Sequence, residues 1–153
     1  MFNIRVYGIL INEKKEVLVS DELIRDQYIT KFCGGGLELG EGTIDCIKRE
    51  FKEEMNLNIE VTDHLYTTDF FQQSHFNREH QIISIYYLVK ATEPINVRLN
   101  ITAFEFDEQQ LTTYQSTQQI ESFRFIQWED FSEEHMTLPI DKVAVKKLKK
   151  LMD

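Results

Sequence analysis

Between Gly34 and Glu54 the chain sets three consecutive glycines, Gly34-Gly35-Gly36, ahead of Glu41, Arg49, Glu50, Glu53 and Glu54. Clustered carboxylates are hard oxygen donors, the kind that a hard divalent cation takes. Glycines let backbone carbonyls or amides approach an ion or a phosphate with no side chain in the way. A solvated acidic helix face would also account for the glutamates. It would not account for the glycine-rich loop expected immediately upstream.

Thr43 to Met55 contains no glycine or proline and is expected to be a helix. Thr43 is expected to cap its start, and Asp45 suits the positive end of the helix dipole. Ile44, Ile47, Phe51 and Met55 recur at helical spacing as the expected apolar stripe. At about 100° per residue, Glu50, Glu53 and Glu54 project into one arc of roughly 100° beside that stripe. Asn56 is expected to end the helix in the left-handed conformation. Like charges so placed repel, so an isolated helix would not choose them. A bound cation removes the objection.

The full run, Gly35-x5-Glu41-x7-Arg49-Glu50-Phe51-x-Glu53-Glu54-x-Asn56-Leu57, closely resembles the Nudix box of Nudix hydrolases. Every charged position matches, as do the first glycine and both apolar positions. Only Asn56 departs, where the family has glycine, and asparagine tolerates positive φ. The resemblance implies an α/β fold, an α/β/α sandwich with a central mixed β-sheet. It also implies a magnesium (or manganese) site with Glu50 and Glu54 as direct ligands and Glu53 as a further ligand or acting through water. The carbonyl of Gly34 would reach the same metal. By the same resemblance Arg49 orients the carboxylates, with Glu41 as its ion-pair partner, so that Glu41, Arg49, Glu53 and Glu54 form the catalytic set. Such a metal polarises a phosphoryl oxygen and activates water, and attack on phosphorus then needs mainly positioning and charge neutralisation. Which carboxylate takes the proton is left open. The implied substrate is a nucleoside diphosphate linked to another moiety, such as ADP-ribose or a nucleotide sugar. The ADP-ribose subgroup usually carries a proline downstream of the box; the matching region here, Asp69-Phe70-Phe71-Gln72-Gln73, has none.

A length of 153 residues, 42% of them hydrophobic and 28% charged, suits one domain spanning 1–153. The net charge of -9 argues against a nucleic-acid partner, which needs a basic footprint. It also suits an enzyme whose metal inverts the local field for an anionic substrate. No basic-then-apolar leader and no apolar run near membrane-spanning length is present, so neither secretion nor a membrane is expected. Cys33 and Cys46 are too few for a disulfide framework, and a reduced cytoplasm is the default.

The elements around the box are expected as follows. Phe2 to Ile11 should pair with Val17-Leu18-Val19 as a hairpin, and Tyr28 to Cys33 should form a short strand leading into a glycine loop. Leu57 to Phe71 and Gln81 to Lys90 read as long strands around a polar loop, Gln72 to Glu79. Phe123 to Trp128 reads as a last core strand, and Glu129 to Glu134 as a short helix. Asp141 to Met152 reads as a helix with Val143, Ala144, Leu148 and Leu151 inward. Ile95 to Gln119 shows no clear period and reads as a peripheral strand plus loop, or as a long loop closing over a substrate.

Outside the box, Glu121 is a candidate further metal ligand, with Glu105 and Glu108 as rivals and a surface acid as the plain alternative. Arg78 and His80 flank the polar loop and would suit a phosphate or a base, and Phe71 would suit stacking on a nucleobase. Exposed aromatics of the 95–119 region would suit a partner subunit in a homodimer. Two functions fit. One is a metal-dependent hydrolase of a small nucleotide substrate. The other is a non-catalytic nucleotide-sensing module, which typically loses box glutamates that this chain keeps.

Overall fold

The computed structural model describes residues 1–152. Strand β1, Phe2–Leu10, buries residues on both faces, Val6 and Leu10 on one side and Tyr7 and Ile9 on the other. A strand apolar on both faces needs cover on both. The same alternation recurs in β2, Glu16–Ile24, where Leu18 faces one way and Val17 and Val19 the other. The remaining strands are β3 (Gln27–Lys31), β4 (Cys33–Gly36), β5 (Ile59–Thr67), β6 (Gln81–Ala91), β7 (Leu99–Asn100) and β8 (Gln119–Gln127). They form two four-stranded sheets, ordered β4-β1-β6-β5 and β3-β2-β8-β7. Each is mixed, through the parallel pairs β1–β6 and β7–β8.

Helix α1 (Thr43–Met55) places Cys46, Ile47, Phe51 and Met55 against Val6, Leu10, Leu18 and Val89. Helix α3 (Pro139–Met152) places Ile140, Ala144, Val145 and Leu148 against Tyr7, Ile9, Val19 and Tyr86. The expected α/β/α layering is present, with the mixed sheet divided in two.

Several local expectations are corrected. The first two strands meet only at the bridge Ile11–Val17 and then enter different sheets, because β4 and β6 occupy both edges of β1. The glycines stand within a strand rather than a loop, since β4 pairs antiparallel with β1 through Gly34, Gly35 and Gly36. The N-cap of α1 is Gly42, not Thr43, whose hydroxyl instead meets that of Tyr87 at 2.6 Å. Ile44 is 44% exposed, so the buried stripe runs through Cys46. Val145 takes the inward place expected of Leu151, which is exposed near the chain end. Glu133–His135 forms only a single 3-10 turn. Asn56 does adopt the left-handed conformation, at φ 50°, and its amide donates to the Lys52 carbonyl.

The segment expected to be strand and loop contains a helix, α2 (Glu108–Thr117). Asp107 and Gln110 close a reciprocal capping box at its start, and Tyr114 is its only buried residue. With one inward side chain it shows no apolar period, and capping rather than patterning announces it.

The chain passes from one sheet to the other at Phe32, between β3 and β4. Its ring is fully buried, 6.0 Å from Tyr86 and 6.2 Å from Phe131 between centroids. Phe32→Ala is expected to cost about 3–5 kcal/mol, as lost transfer energy plus a cavity. Denaturant unfolding monitored by circular dichroism measures it; a loss below about 1 kcal/mol would show that the crossing does not depend on this ring.

Candidate active site

Arg49 lies one helical turn before Glu53 and beside Glu50, so α1 alone brings three charged groups together. Its guanidinium grips Glu41 in bidentate fashion, Nε to Oε2 at 2.9 Å and Nη2 to Oε1 at 2.7 Å. Nη1 reaches Glu50 at 3.0 Å and Glu53 at 3.2 Å, and Nη2 also donates to the Gly36 carbonyl at 3.0 Å. Glu38 stands 3.6 Å away. Planar, fork-shaped donors are what such divided bonding requires, and lysine could not supply them. Arg49 holds the Glu41 carboxyl well below its usual range, to about 2.

One glycine sets the distance from β4 to the helix, and its neighbour the close approach of β4 to β1. A Cβ on Gly35 would lie 2.6 Å from the Glu50 carboxylate, so only glycine lets that group lie against the strand. Gly34, at φ +152°, would bring a Cβ to 2.1 Å from the Val6 carbonyl oxygen.

Glu54 faces inward from the same helix, and its Oε2 is buried without a hydrogen-bond partner. Burial pushes its carboxyl up to about 9; Lys31 pulls the other way, and Glu121 and Glu50 add to the rise. Glu121, within β8, accepts from Ser20 Oγ at 2.6 Å and lies 3.9 Å from Lys31 Nζ. Burial opposes the charge on Lys31, but Glu121, Glu54 and Glu22 outweigh it and hold the ammonium charged.

These groups open onto a cavity of about 710 Å³ between the sheets. Gly34, Glu50, Glu54, Glu121 and His80 line it. Arg78 and Phe71 do not; they border a smaller recess of about 240 Å³ beside Met1 and Phe2. Glu41 and Glu53 also lie outside the lining and are tied to it only through Arg49. Sequence reasoning missed Lys31, Arg5, Arg25 and Asp141 in the cavity wall. The one available signal was a lysine two residues after Ile29 in a strand, on the face that Ile29 buries. Asp141 is buried against the Tyr86 hydroxyl, and burial pushes its carboxyl up to about 6.

Among the described residues, no three His, Cys, Asp or Glu side chains stand together as a ready-made metal cage. Arg49 pairs with Glu41, Glu50 and Glu53, and Lys31 with Glu121. The residues nevertheless fit a hard divalent ion at Glu50 and Glu54. All donors are oxygen, one Glu54 oxygen lacks any partner, and Gly35 leaves Glu50 the room it occupies.

A strand of glycines, an acidic helix and a shared arginine, set in two mixed sheets between helices, define a Nudix-type domain. A family model for the NUDIX domain matches residues 1–147, and the chain belongs to the Nudix family of pyrophosphohydrolases. Solved structures share the fold. A MutT NUDIX hydrolase from Burkholderia pseudomallei superposes with TM-score 0.68 at 11% identity, covering 97% of this chain and 98% of that one. The MutT protein of Methanosarcina mazei Go1 gives 0.66 at 16% identity, covering 99% and 96%. An ADP-ribose pyrophosphatase from Streptococcus suis gives 0.59 at 13% identity, covering 99% and 92%. No functionally curated protein matches the sequence. No helix among the described residues is long and apolar enough to cross a membrane.

The raised Glu54 carboxyl sets a pH dependence. The folded chain keeps a proton that the unfolded chain gives up between pH 4.5 and about 9, so folded stability falls as pH rises through that window. Glu54→Gln has no such proton. In EDTA its melting temperature is expected to exceed that of the wild type by a margin that grows from pH 5 to pH 9. The margin should reach on the order of 10 °C. A margin that does not change with pH would refute the assignment.

Proposed function

We propose that the protein hydrolyses the diphosphate of a nucleoside diphosphate derivative, with magnesium or manganese bound at Glu50 and Glu54. The observation that carries this reading is the buried, unpartnered oxygen of Glu54 beside Glu50 at the wall of a cavity large enough for such a substrate. When bound, the metal supplies Lewis-acid polarisation of a phosphoryl oxygen and a water of lowered pKa.

The chain's own residues do the rest. Arg49 fixes the Glu50 and Glu53 carboxylates and ties them to Glu41, so their geometry needs no reorganisation when substrate arrives. We assign Glu53 a role through bound water, since its side chain is 58% exposed yet held by Arg49. Lys31, Arg5 and Arg25 in the cavity wall offset the carboxylates toward an anionic ligand. Phe76, with the Arg25 guanidinium 5.5 Å from its ring centre, offers an aromatic face at the polar loop. We assign it the base-stacking role that Phe71, 71% exposed and outside the cavity, does not suit. His80 lines the cavity and is retained as a substrate contact.

ADP-ribose and UDP-linked compounds are the first substrate classes to test, after the names of the Streptococcus suis ADP-ribose pyrophosphatase and a UDP-X diphosphatase of like fold. Purified protein with Mg²⁺ is expected to release a nucleoside monophosphate from one of them. Glu50→Gln and Glu54→Gln should each lower turnover by about a thousandfold or more, several kcal/mol of charge stabilisation at about 1.4 kcal/mol per tenfold. Retained turnover in both variants, or tight binding of nucleotide with no phosphorus bond cleaved, would overturn this function.

A further inference from the structure

Lys31 is the last residue of β3 and pairs in register with Ser20 of β2. Its ammonium stands 3.9 Å from Glu121 Oε2, and the Lys31 side chain is only 9% exposed. The same Glu121 oxygen accepts from Ser20 at 2.6 Å. A buried ammonium is retained only where carboxylates compensate it, and a carboxylate so engaged is not free to turn toward another cation. Among the described residues Glu121 is ion-paired with Lys31 alone, and the guanidinium groups reach elsewhere. Arg49 divides its donors among Glu41, Glu50, Glu53 and Gly36, and Arg5 Nε donates to the Tyr7 hydroxyl at 2.8 Å. Lys31 is thus the cation that reaches the Glu121 side of the cavity, where Glu50 and Glu54 also line the wall.

We propose that Lys31 is a tethered cation standing in for a second divalent ion: Glu50 and Glu54 take one metal, and Glu121 neutralises the lysine instead of binding metal. One divalent ion and one ammonium then match the charge of Glu50, Glu54 and Glu121, while Arg5 and Arg25 share the wall with Glu22. The ammonium also donates hydrogen bonds in several directions, which suits a diphosphate lying between it and the metal. The inference rests on the proposed function, because it presupposes a divalent ion at Glu50 and Glu54. It reassigns Glu121, which the sequence alone offers as a metal ligand.

Manganese stoichiometry, read by electron paramagnetic resonance and by calorimetry, tests it without any substrate. The wild-type protein is expected to bind one Mn²⁺ per chain. Lys31→Met should bind two, since Glu121 is released, while Lys31→Arg should stay at one. Glu121→Gln should also stay at one, and the double variant Lys31→Met/Glu121→Gln should return to one. Near-UV circular dichroism confirms that each variant is folded. Should Lys31→Met fail to fold, Glu121→Gln still decides: loss of a Mn²⁺ ion on that change overturns the proposal. So would two tight Mn²⁺ ions in the wild type, or a folded Lys31→Met that binds one. Absence of Mn²⁺ binding to every protein would sink the proposed function itself, a result distinguishable from the others.

Discussion

The guanidinium of Arg49 joins the polar edges of strand, turn and helix where the apolar packing behind them gives out. Its donors reach forward along α1 to Glu53, sideways to Glu50, and back to Glu41 and the Gly36 carbonyl. Glu41 in turn accepts from the Glu38 amide at 2.9 Å, closing the turn that leads from β4 into the helix. That turn would otherwise be held only by backbone bonds such as Glu41 N to Glu38 O at 3.3 Å. One side chain therefore sets the position of the strand end, the turn and the helix face at once. Five donors in a rigid plane make this possible.

The arrangement is electrostatically unfinished. Glu54 sits inside the edge of the core with an oxygen that nothing in the chain satisfies, and the nearest compensation is a lysine already engaged by Glu121. Burial at this point disfavours charge, while the proposed metal chemistry needs it. Active sites commonly hold such a tension, and the surrounding packing sustains it. Here Phe51 and Met55 on the same helix, both buried, anchor the backbone that carries the carboxylates. The stability of α1 comes from its apolar face, which leaves the acidic face available for function.

Much of this was readable from residue types and spacing because the chemistry is local. Arg49, Glu50, Glu53 and Glu54 lie on one helix, so helical geometry alone relates them, and Asn56 ends that helix in the left-handed conformation its side chain tolerates. Relations across the fold were not readable. The apolar alternation of β1 shows that both faces are buried but not which strands border its edges, so a hairpin with β2 looked natural. Gly34 to Gly36 suggest a loop by composition, and only the register with Arg5, Val6 and Tyr7 makes them a strand. Tyr87 drew the Thr43 hydroxyl away from a capping role through a tertiary contact no local pattern encodes. Helix α2 escaped notice because its single buried side chain, Tyr114, produces no periodicity. Nothing in the local pattern beyond the spacing from Ile29 marks Lys31, because its burial beside Glu121 of β8 is a contact across the fold.

The passage of the chain through Phe32 has a mechanical meaning. Both walls of the binding cleft are continuous with one covalent segment, since Lys31 belongs to one sheet and Cys33 to the other. Widening the cleft by parting the sheets would strain this backbone and pull Phe32 from its edge-on contacts with Tyr86 and Phe131. Ligands of different bulk must then be accommodated at the rim, where Gln72 to His80 lies outside the named strands.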